Sequence, residues 1–405
     1  MIPFSPPHIT QEAIDEVVDT LKSGWITTGP KTKRFEKEIT AYCGNKSTLC
    51  VNSATFGLEL VLRWFGVGPG DEVIVPAYTY CASANVIVHT GATPVMVDIN
   101  QDDFNINVKA IERAITSKTK VIIPVDIAGL PCDYDSINQL VSRSDIKSKF
   151  CAADETQANL GRVLVLSDSA HSFGARFKGK VAGSLADISV FSFHAVKNLT
   201  TAEGGAIALN LPAPFDNEEI YKSFNTFSLH GQNRDALAKT QKGAWKYDVL
   251  YSGYKGNMTD IMASIGLIDL KYYDSKTLIR RKDIMTAYQD AFSKYSWAEL
   301  PIIHDVNRES SFHLYPLRIK NVSEEQRDLI IQSIFERDVS VNVHFQPLPL
   351  LTAFKKTGYS INDYPVAYYN YSREISLPVY YTLTEEHVDI VIKAVIEAVN
   401  EVLEL

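Results

Sequence analysis

Between about residues 45 and 210 the chain repeats one pattern, a short and nearly unbroken apolar run followed by a helix-like stretch. The runs are DEVIVP, TKVIIPVDIAG, RVLVLSD, ISVFSF and GGAIALN. A strand with one face in water alternates apolar and polar residues, whereas a strand covered on both faces does not need to. The pattern therefore predicts βαβ units building an α/β fold, with a largely parallel sheet and helices on both of its faces. Open sheets of this kind bind ligands at the carboxyl ends of their strands, so residues just past each run are the first candidates for chemistry.

Residues 213–257 differ in character, being polar and aromatic, and read as loops and short helices able to carry function. A helix follows at about 259–295, and then strands separated by helices. SFHLYPLRI and SVNVHFQPL read as strands, and between them Ser323 and Gln326 form a capping-box pair at the start of a helix. Thr384 caps the last helix, where Val388, Ile392, Val395, Val399 and Val402 recur at helical spacing. This tail predicts a smaller α/β domain at 275–405, after a large domain at 1–274. The polar stretch 141–161 reads as a surface insertion.

Composition narrows the function. A length of 405 residues suits two to three domains, and a formal charge of -8 argues against a protein that binds nucleic acid by neutralising phosphates. The five cysteines, Cys43, Cys50, Cys81, Cys132 and Cys151, form no CxxC pair and no zinc pattern, so no metal is expected and the thiols read as reduced. There is no run of 18 apolar residues and no signal-peptide pattern at the N-terminus. The expectation is a cytoplasmic protein that spans no membrane.

The densest chemical signal lies between Leu166 and Gly205. Asp168 ends the run RVLVLSD, and Lys197 follows the run ISVFSF; they are 197 − 168 = 29 residues apart, about one strand–loop–strand excursion. A lysine among Phe193, Ala195, Val196 and Leu199 is partly desolvated, which lowers its pKa toward the range useful for imine formation. An aspartate at a neighbouring strand end can keep a pyridine nitrogen protonated, as pyridoxal phosphate requires. Upstream, Ser53, Ala54 and Thr55 occupy the first turn of a helix after a strand, where unpaired N–H groups and hydroxyls cradle phosphate. Tyr78 and Tyr80 follow DEVIVP and offer a flat ring to a pyridine face, and Ser192 offers another hydroxyl. Each residue taken singly has an ordinary structural reading as a turn, cap, core or surface residue. The fragment GVGPGD follows a helix and precedes a strand, the reverse of a dinucleotide fingerprint, and reads as a tight turn.

Within this region SFHAVKNLTTAEGG resembles the Schiff-base lysine motif of the DegT/DnrJ/StrS sugar aminotransferases. GWITTGPKTKRFEKEITAYCG, VNSATFGLEL, GDEVIVPAYTYCASANVIVHTGATPVMVDIN, SDSAHSFGA, GYKGNMTDIMASIGL and VNVHFQPL resemble the same family in the same order. The resemblance implies a fold type I transferase with a mainly parallel seven-stranded sheet and a smaller C-terminal α/β domain. It implies pyridoxal 5'-phosphate as cofactor, pyridoxamine 5'-phosphate as its aminated form, and an amino acid, glutamate in most of the family, as donor. The acceptor would be a nucleotide-linked keto-deoxysugar, aminated at C4, with C3 as the alternative, for surface polysaccharide or glycan synthesis. By the same resemblance Lys197 links the cofactor and moves the proton, Asp168 partners the ring nitrogen, and Tyr80 stacks on the ring. Ser53, Ala54, Thr55 and Ser192 fall on the phosphate positions. Asn257 matches an asparagine that reaches the phosphate of the neighbouring subunit, which implies a homodimer with a shared site, and His344 matches a histidine near the substrate.

His171 stands where many members have glutamine, and Pro347-Leu348-Pro349 stand where a second histidine is familiar. A dehydratase branch of the family replaces the lysine with histidine, so Lys197 speaks against that reaction. A cofactor-binding sensor without turnover is a further reading of the same residues.

Overall fold

Every one of the five apolar runs becomes a strand of one seven-stranded sheet in the computed structural model, which describes residues 1–233 and 247–404. In chain order the strands are β1 Ser47–Val51, β2 Glu72–Pro76, β3 Thr93–Val97, β4 Thr119–Ile122 and β5 Leu164–Asp168. There follow β6 Arg176–Phe177, β7 Lys180–Val181, β8 Ile188–Ser192 and β9 Gly205–Leu209, and then β10 Ala298–Glu299, β11 Arg308–Glu309, β12 Tyr315–Ile319 and β13 Glu374–Leu377. The large sheet has the order β1-β9-β8-β5-β4-β2-β3. Its pairs are parallel except where β9 runs against β1 and β8.

Alternate residues of these strands enter two different apolar clusters. Val73, Val75, Leu164, Leu166 and Val190 face one, while Ile74, Val165 and Phe191 face the other. Full burial of a Val, Leu, Ile or Phe side chain is worth about 1.5–3 kcal/mol, so such a strand gains on both faces and has no reason to alternate. A third cluster gathers Ile284, Tyr315, Leu317, Ile330, Ile375 and Val395 around the antiparallel sheet β10-β12-β13. The capping box at Ser323 and Gln326 and the Thr384 cap are both formed. The chain passes position 275 inside a π-helical turn, Tyr273–Leu278, that joins the helices Asp260–Tyr272 and Ile279–Phe292.

Because β9 runs backwards, its first residue lies at the edge where β1 and β8 end, with Gly205 paired to Val51 and to Ser192. A Cβ at Gly205 would come within 2.6 Å of the Ala54 nitrogen and 2.7 Å of the Phe191 carbonyl oxygen. Both are backbone atoms and cannot swing aside, so glycine is what lets the helix Ala54–Trp64 start against the sheet.

Three expectations need correction. SVNVHFQPL is not a strand: it holds one isolated bridge, between Asn342 and Ser376, with another just before it between Val339 and Ile2. Prolines 347 and 349 have no N–H to give a ladder, and the His344 N–H is taken by the Glu374 carboxylate at 3.0 Å. The stretch 141–161 is more than surface: it contains the helices Ser144–Lys147 and Glu155–Leu160, with Ile146 and Gln157 buried. Gln157 donates to the Phe65 carbonyl at 2.8 Å, which ties the insertion to the end of a core helix. The region 213–257 includes the eleven-residue helix Asn217–Phe227, longer than a short helix, while its residues 234–246 lie outside the described residues. GVGPGD forms a tight turn in which Asp71 accepts from the Gly68 N–H at 3.0 Å. No helix among the described residues is long and apolar enough to cross a membrane.

Candidate active site

The carboxyl ends of β1, β2, β5 and β8 border a cavity of about 380 Å³. Ser53, Ala54, Thr55, Tyr80, Asp168, His171, Ser192, Lys197 and His344 all line it, nine of the ten site residues picked from the sequence. The tenth, Asn257, is not among the lining residues of this chain's cavity. It bridges to Val51 on the edge strand and donates to Thr28 Oγ1 at 2.6 Å. Of the two tyrosines, Tyr78 is fully buried, with its hydroxyl on the His344 carbonyl, whereas Tyr80 is 58% exposed and faces the cavity.

Asp168 is 5% exposed. One carboxylate oxygen accepts from Ser83 Oγ at 2.7 Å, and the other from the Ala170 N–H at 3.2 Å. Ser83 in turn meets Thr79 Oγ1 at 2.9 Å. Burial raises the pKa of Asp168 above the usual carboxylate value, against the hydrogen bonds from Ser83 and Ala170 and a weaker pull from the Lys197 ammonium, which is not within salt-bridge distance. A buried carboxylate beside a cavity, with hydroxyl and amide partners but no cation, is suited to a cationic ligand.

Lys197 lies in the short loop after β8, its N–H on the His194 carbonyl at 2.9 Å. Desolvation pulls its ammonium down to about 8, against a smaller opposing pull from Asp168. The amine is thus a substantially neutral nucleophile at mildly alkaline pH. A lowered folded pKa means that the neutral fraction grows tenfold per unit as pH rises toward 8 and then levels off. Capture of added pyridoxal phosphate by cofactor-free protein, followed by stopped-flow absorbance, should show the same rise and plateau; a rate still climbing tenfold per unit from pH 8 to 10 would contradict it.

The helix Ala54–Trp64 begins with Ser53, whose side chain accepts from the Phe56 N–H at 3.1 Å. The N–H groups of Ala54 and Thr55 have no carbonyl one turn back, which leaves an anion cradle with the positive end of the helix dipole. The imidazoles of His171, His313 and His344 also line the cavity. His171 and His313 lie 4.4 Å apart between ring centroids, and His171 stacks on Phe345 at 5.7 Å. Burial holds both well below the usual imidazole value, so each is neutral, and the buried Nδ1 of His171 has no protein partner.

Ser83, Thr79, His313 and Phe345 were missed by sequence reasoning, as was the N-terminal segment. Phe4 and Ser5 line the cavity; Phe4 stacks on His344 at 5.4 Å, and Ser5 Oγ reaches the Val196 carbonyl at 3.4 Å. Ser83 had a signal, since it lies three residues past Tyr80 after a strand end. His313 is held from behind by the buried Arg281, which donates to the Phe312 and His313 carbonyls at 2.9 and 2.8 Å, and its ring meets Asn198 Oδ1 at 2.8 Å. Nothing local in the sequence announces that contact.

A cavity with a desolvated amine, a buried carboxylate lacking a cation and a helix N-terminus offers what an imine-forming, phosphate-bearing pyridine cofactor needs. Residues 7–396 match the model of the DegT/DnrJ/EryC1/StrS aminotransferase family. The chain belongs to this family. It is 41% identical over 404 residues to the uncharacterized protein MJ1066 of Methanocaldococcus jannaschii, covering 99% of this chain and 98% of that protein. It is 37% identical over 403 residues to the spore coat polysaccharide biosynthesis protein SpsC of Bacillus subtilis, covering 98% of this chain and 97% of that protein. In fold it matches the candidate sugar aminotransferase Spr1654 of Streptococcus pneumoniae, solved in its PMP form, with a TM-score of 0.95 and 50% identity over 99% of this chain and 100% of that one. The PLP form of Spr1654 matches with a TM-score of 0.94. The protein is a pyridoxal-phosphate-dependent aminotransferase of fold type I, and the residues in its cavity fit that cofactor: the buried Asp168 carboxylate is suited to a protonated pyridine, and the start of the helix at Ser53 is suited to a phosphate.

Proposed function

We propose that this aminotransferase moves an amino group from glutamate to the C4 keto carbon of a nucleotide-linked deoxysugar, in the cytoplasm, for surface polysaccharide synthesis. The observation that carries the reading is the convergence of Lys197, Asp168 and the Ser53 helix start on one cavity. Likeness to Spr1654 and SpsC supports a sugar as acceptor; the C4 position and the nucleotide follow the family resemblance.

Bound pyridoxal phosphate supplies the carbonyl with which Lys197 condenses and the electron sink that makes the donor's Cα–H acidic. Asp168 keeps the ring nitrogen protonated, and its hydrogen bond from Ser83 Oγ holds the carboxylate in place. Ser53, Ala54, Thr55 and Ser192 would hold the phosphate, Tyr80 would cover a ring face, and His171 would offer a hydrogen bond to the phenolic oxygen. The Lys197 amine would hold the cofactor when no donor is bound and would serve as the general acid–base that moves the proton between the donor carbon and the carbon that receives the amine. The donor leaves as a keto acid before the keto sugar enters, so the two half-reactions share one set of residues. His344 contacts the substrate. Asn257 serves the phosphate of a second copy in a homodimer, which accounts for its place outside this chain's own cavity.

The test is a product assay with glutamate against a panel of UDP-, GDP- and dTDP-linked 4-keto and 3-keto deoxysugars. An amino sugar from a 4-keto member is the expected result. Turnover of 3-keto members alone overturns the C4 assignment, and no product from any member overturns the sugar reading.

A further inference from the structure

His344 is held by a hydrogen-bonded chain that the reaction as described does not use. Its ring Nδ1 lies 2.9 Å from Ser376 Oγ, and Ser376 Oγ lies 2.5 Å from Glu374 Oε1. The other oxygen of Glu374 accepts the His344 backbone N–H at 3.0 Å. Glu374 and Ser376 are two residues apart on β13, hence on one face of the strand, and both are fully buried. The ring nitrogen left over, Nε2, has no hydrogen bond among the described residues, and the side chain lines the cavity.

We infer that Glu374, acting through Ser376, sets the tautomer of His344, and so decides whether Nε2 presents a proton or a lone pair to the substrate. Proton counting along the chain leaves two states. When Glu374 is ionised it can only accept, so the Ser376 hydroxyl donates to it, Ser376 accepts from Nδ1–H, and Nε2 is a bare acceptor. When Glu374 carries a proton, the proton sits on Oε1, because Oε2 already accepts from the His344 N–H. It is donated to Ser376, the Ser376 hydroxyl turns to Nδ1, and Nε2 bears the hydrogen. One proton on a residue that does not line the cavity thus inverts the polarity of the group that does.

The surroundings favour the protonated state at neutral pH. Burial pushes the Glu374 carboxyl up to about 8, against the hydrogen bonds from Ser376 and His344 and the weaker pull of the Arg327 and Arg318 guanidiniums. Arg327 donates through Nη1 to the Tyr371 and Glu374 carbonyls and through Nε to the Asp328 carboxylate, and Arg318 lies opposite Glu374 on β12. Tyr78 faces the same spot, its hydroxyl on the His344 carbonyl. Burial, with a smaller push from Lys197 on the cavity side, holds the imidazole down to about 4, and His171 and His313 are neutral, so His344 changes tautomer without changing charge. Below pH 8 His344 is therefore a donor toward a substrate oxygen, and above it an acceptor. Glu374 and Ser376 are positioning residues, and the role given to His344 rests on the substrate contact proposed above.

The tautomer can be read without turnover, by ¹⁵N-histidine NMR of the protein loaded with pyridoxal phosphate, with the His344 signal assigned by its loss in His344→Gln. Between pH 6.5 and 9.5 the proton should move from Nε2 to Nδ1, with the ratio changing tenfold per unit around pH 8. Glu374→Gln fixes an amide donor against Ser376 and should hold the proton on Nε2 throughout. Ser376→Ala, which cuts the chain, should also abolish the pH response, and serves if Glu374→Gln does not fold. A wild-type tautomer constant across the range, or a variant that follows pH as the wild type does, overturns the inference. A failed sugar panel with the tautomer shift present would count against the substrate reading alone.

Discussion

Lys197→Ala is expected to lower kcat by about 10³-fold or more, the upper part of the range that a general acid–base group contributes, because the same side chain also holds the cofactor covalently. The protein should still fold. The lysine's folded pKa of about 8 is below its ordinary 10.5, so the folded state binds this proton less tightly than the unfolded chain does. Below pH 8 the ammonium is a desolvation cost to the fold, and between about 8 and 10.5 stability rises with pH as that cost is relieved. The alanine variant should lack this rise and be no less stable than wild type at pH 7 in thermal melts. It should also bind pyridoxal phosphate without the absorbance of the lysine-linked form. An alanine variant that turns over repeatedly would remove Lys197 from the chemistry.

Asp168→Asn carries the second large effect. The change keeps the volume of a 5% exposed side chain and removes the anion that would face the ring nitrogen. Breaking a buried ion pair by removing one partner costs about 3–5 kcal/mol, so kcat should fall by roughly 10²–10³-fold. Stability should move the other way in the cofactor-free protein. Burial raises the folded pKa of Asp168 above its unfolded value, so its contribution to stability is lost as pH rises through that interval, and at neutral pH the carboxylate is a cost. The amide variant should melt no lower than cofactor-free wild type, yet gain less on adding pyridoxal phosphate. Equal stabilisation of the two by the cofactor, or an unchanged kcat, would refute the pairing of Asp168 with the ring.

The sheet could be read from the sequence because burial on both faces leaves a local mark. β5, with Leu164, Val165 and Leu166 all buried, is a continuous apolar run, and its end places Asp168 without knowledge of any other strand. The start of the helix at Ser53 is local in the same way. What the sequence hid is what depends on distant segments meeting. Ser83 touches Asp168 across 85 residues, and the loop around His313 reaches Asn198 across 115. The N-terminal segment supplies Phe4 and Ser5 to the cavity wall while Ile2 is pinned to the Asp338 carbonyl at 2.7 Å, a contact between residues 338 − 2 = 336 apart in the chain. SVNVHFQPL misled for a physical reason: its apolar side chains serve the cavity and the core rather than a ladder, and Glu374, whose own strand lies elsewhere, takes the His344 N–H.

One cavity runs both halves of an amino transfer, and the absorbance of the loaded protein reports it directly. Glutamate added to the yellow protein should bleach it to the pyridoxamine form, and a 4-keto deoxysugar nucleotide should then restore the colour in step with the appearance of an amino sugar. A spectrum that glutamate and other amino acids leave unchanged would contradict the account and identify instead a protein that binds the cofactor without turning it over.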